Sequence, residues 1–190
     1  MTSLANIYRG WEGYQTSLVH AVTPLTHEQL IWRAATDRRS LGEIVRHISL
    51  GRINWFVRMG APGVDAVAQR VPKWETDPDG VRHIVEGAVA ADDPRGLTEW
   101  LELSWHPIQR VLDEWTVADL DTTYAHRWRG QNYLNSRQWT IWRIMAHDIH
   151  HGGQLAMMLG MMGVDAFELR QLGGHIVVPT LAHDSGNLTN

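Results

Sequence analysis

The sequence predicts an all-α protein: a four-helix bundle with a long crossover connection and an irregular C-terminal tail. Three observations carry this. Apolar residues recur at spacings of three and four in four long segments. Residues that stop or start helices stand between those segments. No stretch shows a sustained period-2 alternation of the kind a half-buried sheet needs.

The first helix runs from about Ser3 to Val22 on Leu4, Ile7, Tyr8, Trp11, Tyr14, Leu18 and Val22, and Thr23-Pro24 ends it. Residues 26–39 are polar and read as a connector with a turn of helix. The second helix opens at Ser40, which with Glu43 makes a capping box, and stops near Gly60-Ala61-Pro62-Gly63. It is apolar around most of its circumference, so it should touch several neighbours. Residues 61–93 hold Pro62, Pro72, Pro78 and Gly80. They read as the crossover, with a short helix over 81–89. The third helix begins at Asp93-Pro94, an N-cap followed by proline at the first helical position. Pro107 inside it predicts a kink. Residues 119–135 read as a loop. Ser136 then caps a fourth helix reaching Gly163, a plausible C-cap. The remainder, with Leu172-Gly173-Gly174 and Ile176-Val177-Val178-Pro179, frays into polar residues. The whole chain, 1–190, is expected to be one domain, with its core in about 1–165 and a tail over 166–190.

Composition excludes several chemistries. The absence of cysteine removes disulfides, thiolate metal sites and a thiol nucleophile. The net charge of −4 argues against nucleic acid as a partner. The N-terminal residues lack the basic and apolar regions of a signal peptide. Uncharged stretches such as Gly152 to Val164 fall short of the ~20 residues that span a bilayer. A cytoplasmic protein without membrane contact is expected; a homodimer is admitted but not demanded. Ten tryptophans supply buried area, and eleven histidines direct attention to metal or acid–base chemistry.

The informative stretch is His147-Asp148-Ile149-His150-His151-Gly152-Gly153-Gln154. Residues i and i+4 lie about 40° apart on a helix, so His147 and His151 point the same way. A helical wheel puts their midpoint in line with Thr140 and Met158, the middle of the apolar face. Two outcomes stay open on spacing and face alone: a shared divalent metal, or core histidines bonded to tyrosine, glutamine or water. His150 falls toward the flank. Gln154, Tyr14 and Trp11 are candidates to orient a ligand or substrate, or simply to pack. A zinc peptidase of the H-E-x-x-H type is disfavoured, since Asp148 stands where glutamate is needed and Met157 where a further histidine would be. On the second helix, the wheel sets His47 about 120° from the centre of the strongest apolar stripe. Periodicity alone makes it an edge or partner-facing residue.

Three strings together resemble the DinB/YfiT-like metalloenzyme family. They are H-D-x-H-H-x-G-Q-L from His147, Ser40-Leu41-Gly42-Glu43-Ile44 leading to His47-Ile48, and Gln29-Leu30-x-Trp32-Arg33 before them. The resemblance covers about residues 1–165. It implies a four-helix bundle with a three-histidine metal site whose ligands are His47, His147 and His151. Where relatives often carry an arginine after the histidine pair, this chain has Gly152. Relatives include thiol S-transferases and a mycothiol-dependent isomerase. The implied function is a divalent-metal-dependent enzyme acting on a small molecule, a transferase or hydrolase, with zinc foremost and nickel or iron next. Three histidines leave a coordination position open for water or an external low-molecular-weight thiol. The alternative is a metal-stabilised helical bundle that binds a ligand or partner without turnover. Exposed Trp74 and Trp128, expected in loops, fit either.

Overall fold

In the computed structural model, which describes residues 3–171, helices dominate. The first predicted helix is divided at Tyr8 into α1 (Leu4–Ile7) and α2 (Arg9–Val22), and a short α3 (His27–Ile31) occupies the polar connector. The three other long helices are α4 (Leu41–Arg58), α6 (Pro94–Glu114) and α7 (Arg137–Met161). Between α4 and α6 lies α5 (Val64–Ala68), and α8 (Phe167–Arg170) follows α7. Helix α4 packs against α6 and α7, and α2 packs against α6 and α7. Among the described residues no helix is long and apolar enough to cross a membrane.

The helix ends follow local chemistry. Ser40 accepts the Glu43 amide and Glu43 returns a bond to the Ser40 amide, closing the capping box. Asp93 accepts the amides of Arg95 and Gly96 ahead of α6, and Ser136 accepts that of Trp139 ahead of α7. Gly60 and Gly163 take positive φ of 64° and 72° after α4 and α7. Each lets the next residue bond back to the helix, Ala61 to Phe56 and Val164 to Leu159. Helix α6 runs through Pro107 without interruption.

The all-α expectation is corrected at two places. The crossover contains an antiparallel pair, β1 (Trp74–Thr76) with β2 (Arg82–Ile84), and then one 3-10 turn at Glu86–Ala88 instead of a helix over 81–89. The supposed loop 119–135 is a 3-10 turn (Val117–Asp121) followed by a hairpin of β3 (Thr123–Trp128) and β4 (Gln131–Ser136). Its two-residue turn, Arg129-Gly130, has φ of 49° and 74°, the doubly positive geometry that matches strand twist. Trp74 and Trp128 therefore sit in strands, Trp74 partly buried and Trp128 exposed. The expected tail sequences at 172–174 and 176–179 lie outside the described residues.

The core is layered along the helices. One apolar cluster gathers Leu18, Val22, Leu41, Ile48, Leu101, Leu155 and Leu159, joined by Leu169 of α8. A second gathers Trp11, Phe56, Trp105, Ile108, Ile141 and Ile144. A third, under the crossover, holds Leu50, Ile53, Val67, Val71, Ile84 and Val89. Helix α4 contributes to all three, which explains why it is apolar nearly all round. Its first turn abuts the crossover so closely that a Cβ on Gly42 would overlap the Ala91 carbonyl oxygen. Gly42→Ala should therefore cost about 1–3 kcal/mol by overpacking. Urea unfolding measures this; an unchanged midpoint would show that the α4–crossover contact is not tight.

Candidate metal centre

Helices α4 and α7 lie side by side, and His47, His147 and His151 meet across them. One ring nitrogen from each falls within 4.8 Å of the other two. Ring centroids are 4.9 Å apart for His47–His147, 4.8 Å for His47–His151 and 4.4 Å for His147–His151. All three side chains are half-buried. His47, which periodicity placed at an edge, is indeed at one, and the edge it occupies is the α4–α7 seam.

That position corrects the helical-wheel view of the pair. The fully buried stripe of α7 is Thr140, Ile141, Ile144, Asp148, Gly152, Leu155 and Leu159, and its polar centre is Asp148. His147 and His151 flank the stripe, each one residue before a buried one. Aspartate can occupy the core because it is paired. Its Oδ2 accepts Trp11 Nε1 at 2.8 Å and Arg52 Nε at 3.0 Å, with Arg52 Nη2 2.9 Å away. Arg52 in turn donates Nη1 to Gln15 Oε1 at 2.6 Å and approaches the Leu101 carbonyl and Ser104 Oγ at 3.4 Å. Both members of the ion pair are 0% exposed. Burial opposes the Asp148 charge, but the Arg52 field and the hydrogen bonds outweigh it and hold the carboxyl below its usual range.

The outer nitrogens of two of the rings each face an oxygen acceptor. His47 Nδ1 lies 2.6 Å from Glu86 Oε1 and His151 Nδ1 lies 2.8 Å from Gln154 Oε1. His147 Nδ1 is buried without a partner, 3.9 Å from Asp148 Oδ1, itself buried without a partner. A carboxylate only accepts, so Glu86 fixes the proton of His47 on Nδ1. Gln154 does the same for His151, since its amide nitrogen is turned to His150 Nε2 at 3.3 Å. The Nε2 atoms of His47 and His147 lie 3.1 Å apart, and two lone pairs that close need a shared cation or a proton between them. This is the arrangement in which an outer acceptor sets the tautomer of a metal-binding imidazole, so the donor set fits a divalent metal.

The neighbours were legible to different degrees. Gln154, open between orienting a ligand and packing, places its Oε1 2.8 Å from His151 Nδ1. His150 is exposed, with its ring edge on His151. Trp11 and Tyr14 stand behind the site: Trp11 on Asp148, and Tyr14 with its hydroxyl to the Ile149 carbonyl at 3.3 Å. Glu86, Arg52 and Asp148's pairing were missed. Glu86 lies in the crossover, where no pattern ties it to His47; its bond to His47 holds its carboxyl below the usual range in spite of burial. Two glycines make room. A Cβ on Gly51 would come within 2.9 Å of the His147 ring, and one on Gly152 would overlap the Tyr14 hydroxyl. An arginine at 152 is therefore excluded by packing.

The family model of the DinB superfamily matches residues 11–155, and the chain belongs to that superfamily. A crystal structure of a DinB-like protein from Bacillus cereus ATCC 10987 is similar in fold, with a TM-score of 0.60 at 18% identity over 83% of this chain and 91% of that one. No curated protein matches the chain.

Two outcomes are expected. Asp148→Ala strands Arg52 in the core and should cost about 3–5 kcal/mol in urea unfolding; a loss below 1 kcal/mol would show that the pair is not holding the helices. His151 is pushed down to about 4, first by burial and further by its neighbouring histidines, against the Gln154 bond. The unfolded chain binds that proton near 6.5 and the folded chain only near 4. In chelator-treated protein its contribution to stability is thus complete above about pH 6.5 and is lost as pH falls toward 4. Wild type should lose stability over that window more steeply than His151→Gln; parallel curves would refute the assignment.

Proposed function

We propose that this DinB superfamily chain is a four-helix-bundle, metal-dependent enzyme acting on a small molecule, with His47, His147 and His151 as the ligands of one divalent ion. The observation that carries the proposal is that one ring nitrogen from each of His47, His147 and His151 lies within 4.8 Å of the other two, with His47 and His151 each held through Nδ1 by an oxygen acceptor. Imidazole donors suit zinc first, and also nickel or iron. Such an ion supplies Lewis acidity toward water or an external thiol.

The chain's own residues account for the rest. Glu86 and Gln154 hold the rings of His47 and His151, so those two donors are oriented before a ligand arrives. Half-exposure of all three histidines favours an accessible site over one sealed for structure alone, and with it turnover over mere stabilisation. With no cysteine in the chain, any thiol must be a cosubstrate. The reaction class is transfer to, or hydrolysis by, that external nucleophile, without a covalent protein intermediate.

Elemental analysis of the purified protein tests this together with His47→Ala. Wild type should carry one divalent ion per chain. His47→Ala should lose most of it while its circular dichroism remains helical, because His47 lies at the seam and not in the core. Undiminished stoichiometry in the variant would remove His47 from the site and the three-histidine proposal with it. Glu86→Gln should weaken binding about 10–100-fold.

A further inference from the structure

A cavity of about 280 Å³ lies beyond the histidines, toward the β3–β4 hairpin. It is walled by Trp55 of α4, Trp139 and Arg143 of α7, and His126, Trp128 and Tyr133 of the hairpin. Its residues continue the two histidine-bearing faces. Trp55 is two turns beyond His47, and Arg143 is one turn from His147, or about 6 Å along the helix axis. Trp55 meets His126 and Trp139 at ring-centroid distances of 5.2 and 5.5 Å, and Trp128 lies 6.5 Å from Tyr133.

An aromatic cage by itself would suit a cation, but this one is already supplied with cations. Arg143 lies over Trp55 and Trp139, with Cζ 4.7 and 5.3 Å from their ring centroids, and Arg58 lies over Trp55 at 4.8 Å. Arg129 lies over Trp128 at 4.6 Å. Among the described residues none of these three arginines has a salt bridge, and Arg58 Nε is buried without a partner. Asp77 is the acidic group whose field reaches Arg58 and His126, and it pairs with neither. Burial first, and then Arg58, push the His126 imidazole below its ordinary value. The Asn135 amide nitrogen, also at the cavity wall, is buried and makes no well-formed hydrogen bond. Guanidinium stacked on a ring keeps its in-plane N–H groups, which match a carboxylate in a two-bond fork.

We propose that this cavity binds a small organic anion with a flat aromatic body, the ring between the tryptophans and the carboxylate on Arg143. The volume falls just below the usual range of ligand pockets, about 300–1,000 Å³, so the ligand is of one or two rings. The site stands on its own groups, and its test is separable from the metal proposal.

Isothermal titration calorimetry with 2-naphthoate, 2-naphthamide and 2-naphthylmethylammonium decides it. The carboxylate should bind at least tenfold more tightly than the amide, and the ammonium should not bind measurably. Arg143→Gln, at an exposed position that leaves the core intact, should weaken 2-naphthoate at least tenfold, and so should Trp128→Ala. Chelator treatment should leave the affinity unchanged. Equal binding of the three compounds, or unchanged affinity in Arg143→Gln, would overturn the proposal. So would an affinity abolished by chelator or by His47→Ala yet indifferent to Arg143, since the carboxylate would then sit at the histidines.

Discussion

The Arg52–Asp148 ion pair is the constraint around which the rest is arranged. It lies between the two main apolar clusters, and every long helix contributes to it: α2 through Trp11 and Gln15, α4 through Arg52, α6 through Ser104 and the Leu101 carbonyl, α7 through Asp148. A hydrophobic contact tolerates sliding by a fraction of a turn. A fully buried charge pair does not, because any slip strands a charge in a medium that cannot solvate it. The polar layer thus sets the register in which α4 faces α7.

Register in turn brings the histidines together. Asp148 points into the core, so its neighbour His147 is turned toward the α4 seam, and His151 follows one turn later. On the other side Arg52 points inward, which turns Gly51 toward His147 and His47 toward both imidazoles. Gly51 gives the His147 ring its space, and Gly152 lets Tyr14 close against α7. Stability and the candidate site are therefore coupled through the register that the pair sets.

The crossover and the hairpin, which contribute least to the core, do most to give the seam its chemical character. The crossover brings Glu86 to His47 and is tied to α4 through Asn54 and Arg46, which bond Ile84 and Val89. The hairpin is tied to α7 through Tyr124 and Thr140 at 2.6 Å and sets the His126 ring against Trp55. The two are joined by Asp79, which accepts the Gly130 amide at the hairpin turn. One end of the α4–α7 seam is histidine-rich and the other aromatic and cationic.

The sequence by itself determined the long helices, their caps and the histidine pair, because these depend on interactions three or four residues apart. Ser40 with Glu43, Asp93 with Pro94, Ser136 and Gly163 act where they were read to act. His47 was legible only through its resemblance to a known family string, since its role depends on a neighbour 100 residues away. The hairpin was not legible: both its faces are largely exposed, so burial imposes little alternation on β3 and β4. Nor was the crossover strand pair, three residues on each side. The tertiary structure alone decided that Asp148, and not the histidines flanking it, belongs to the core. A carboxylate is tolerated there only when a guanidinium 96 residues away is delivered to it, and no local pattern can encode that delivery.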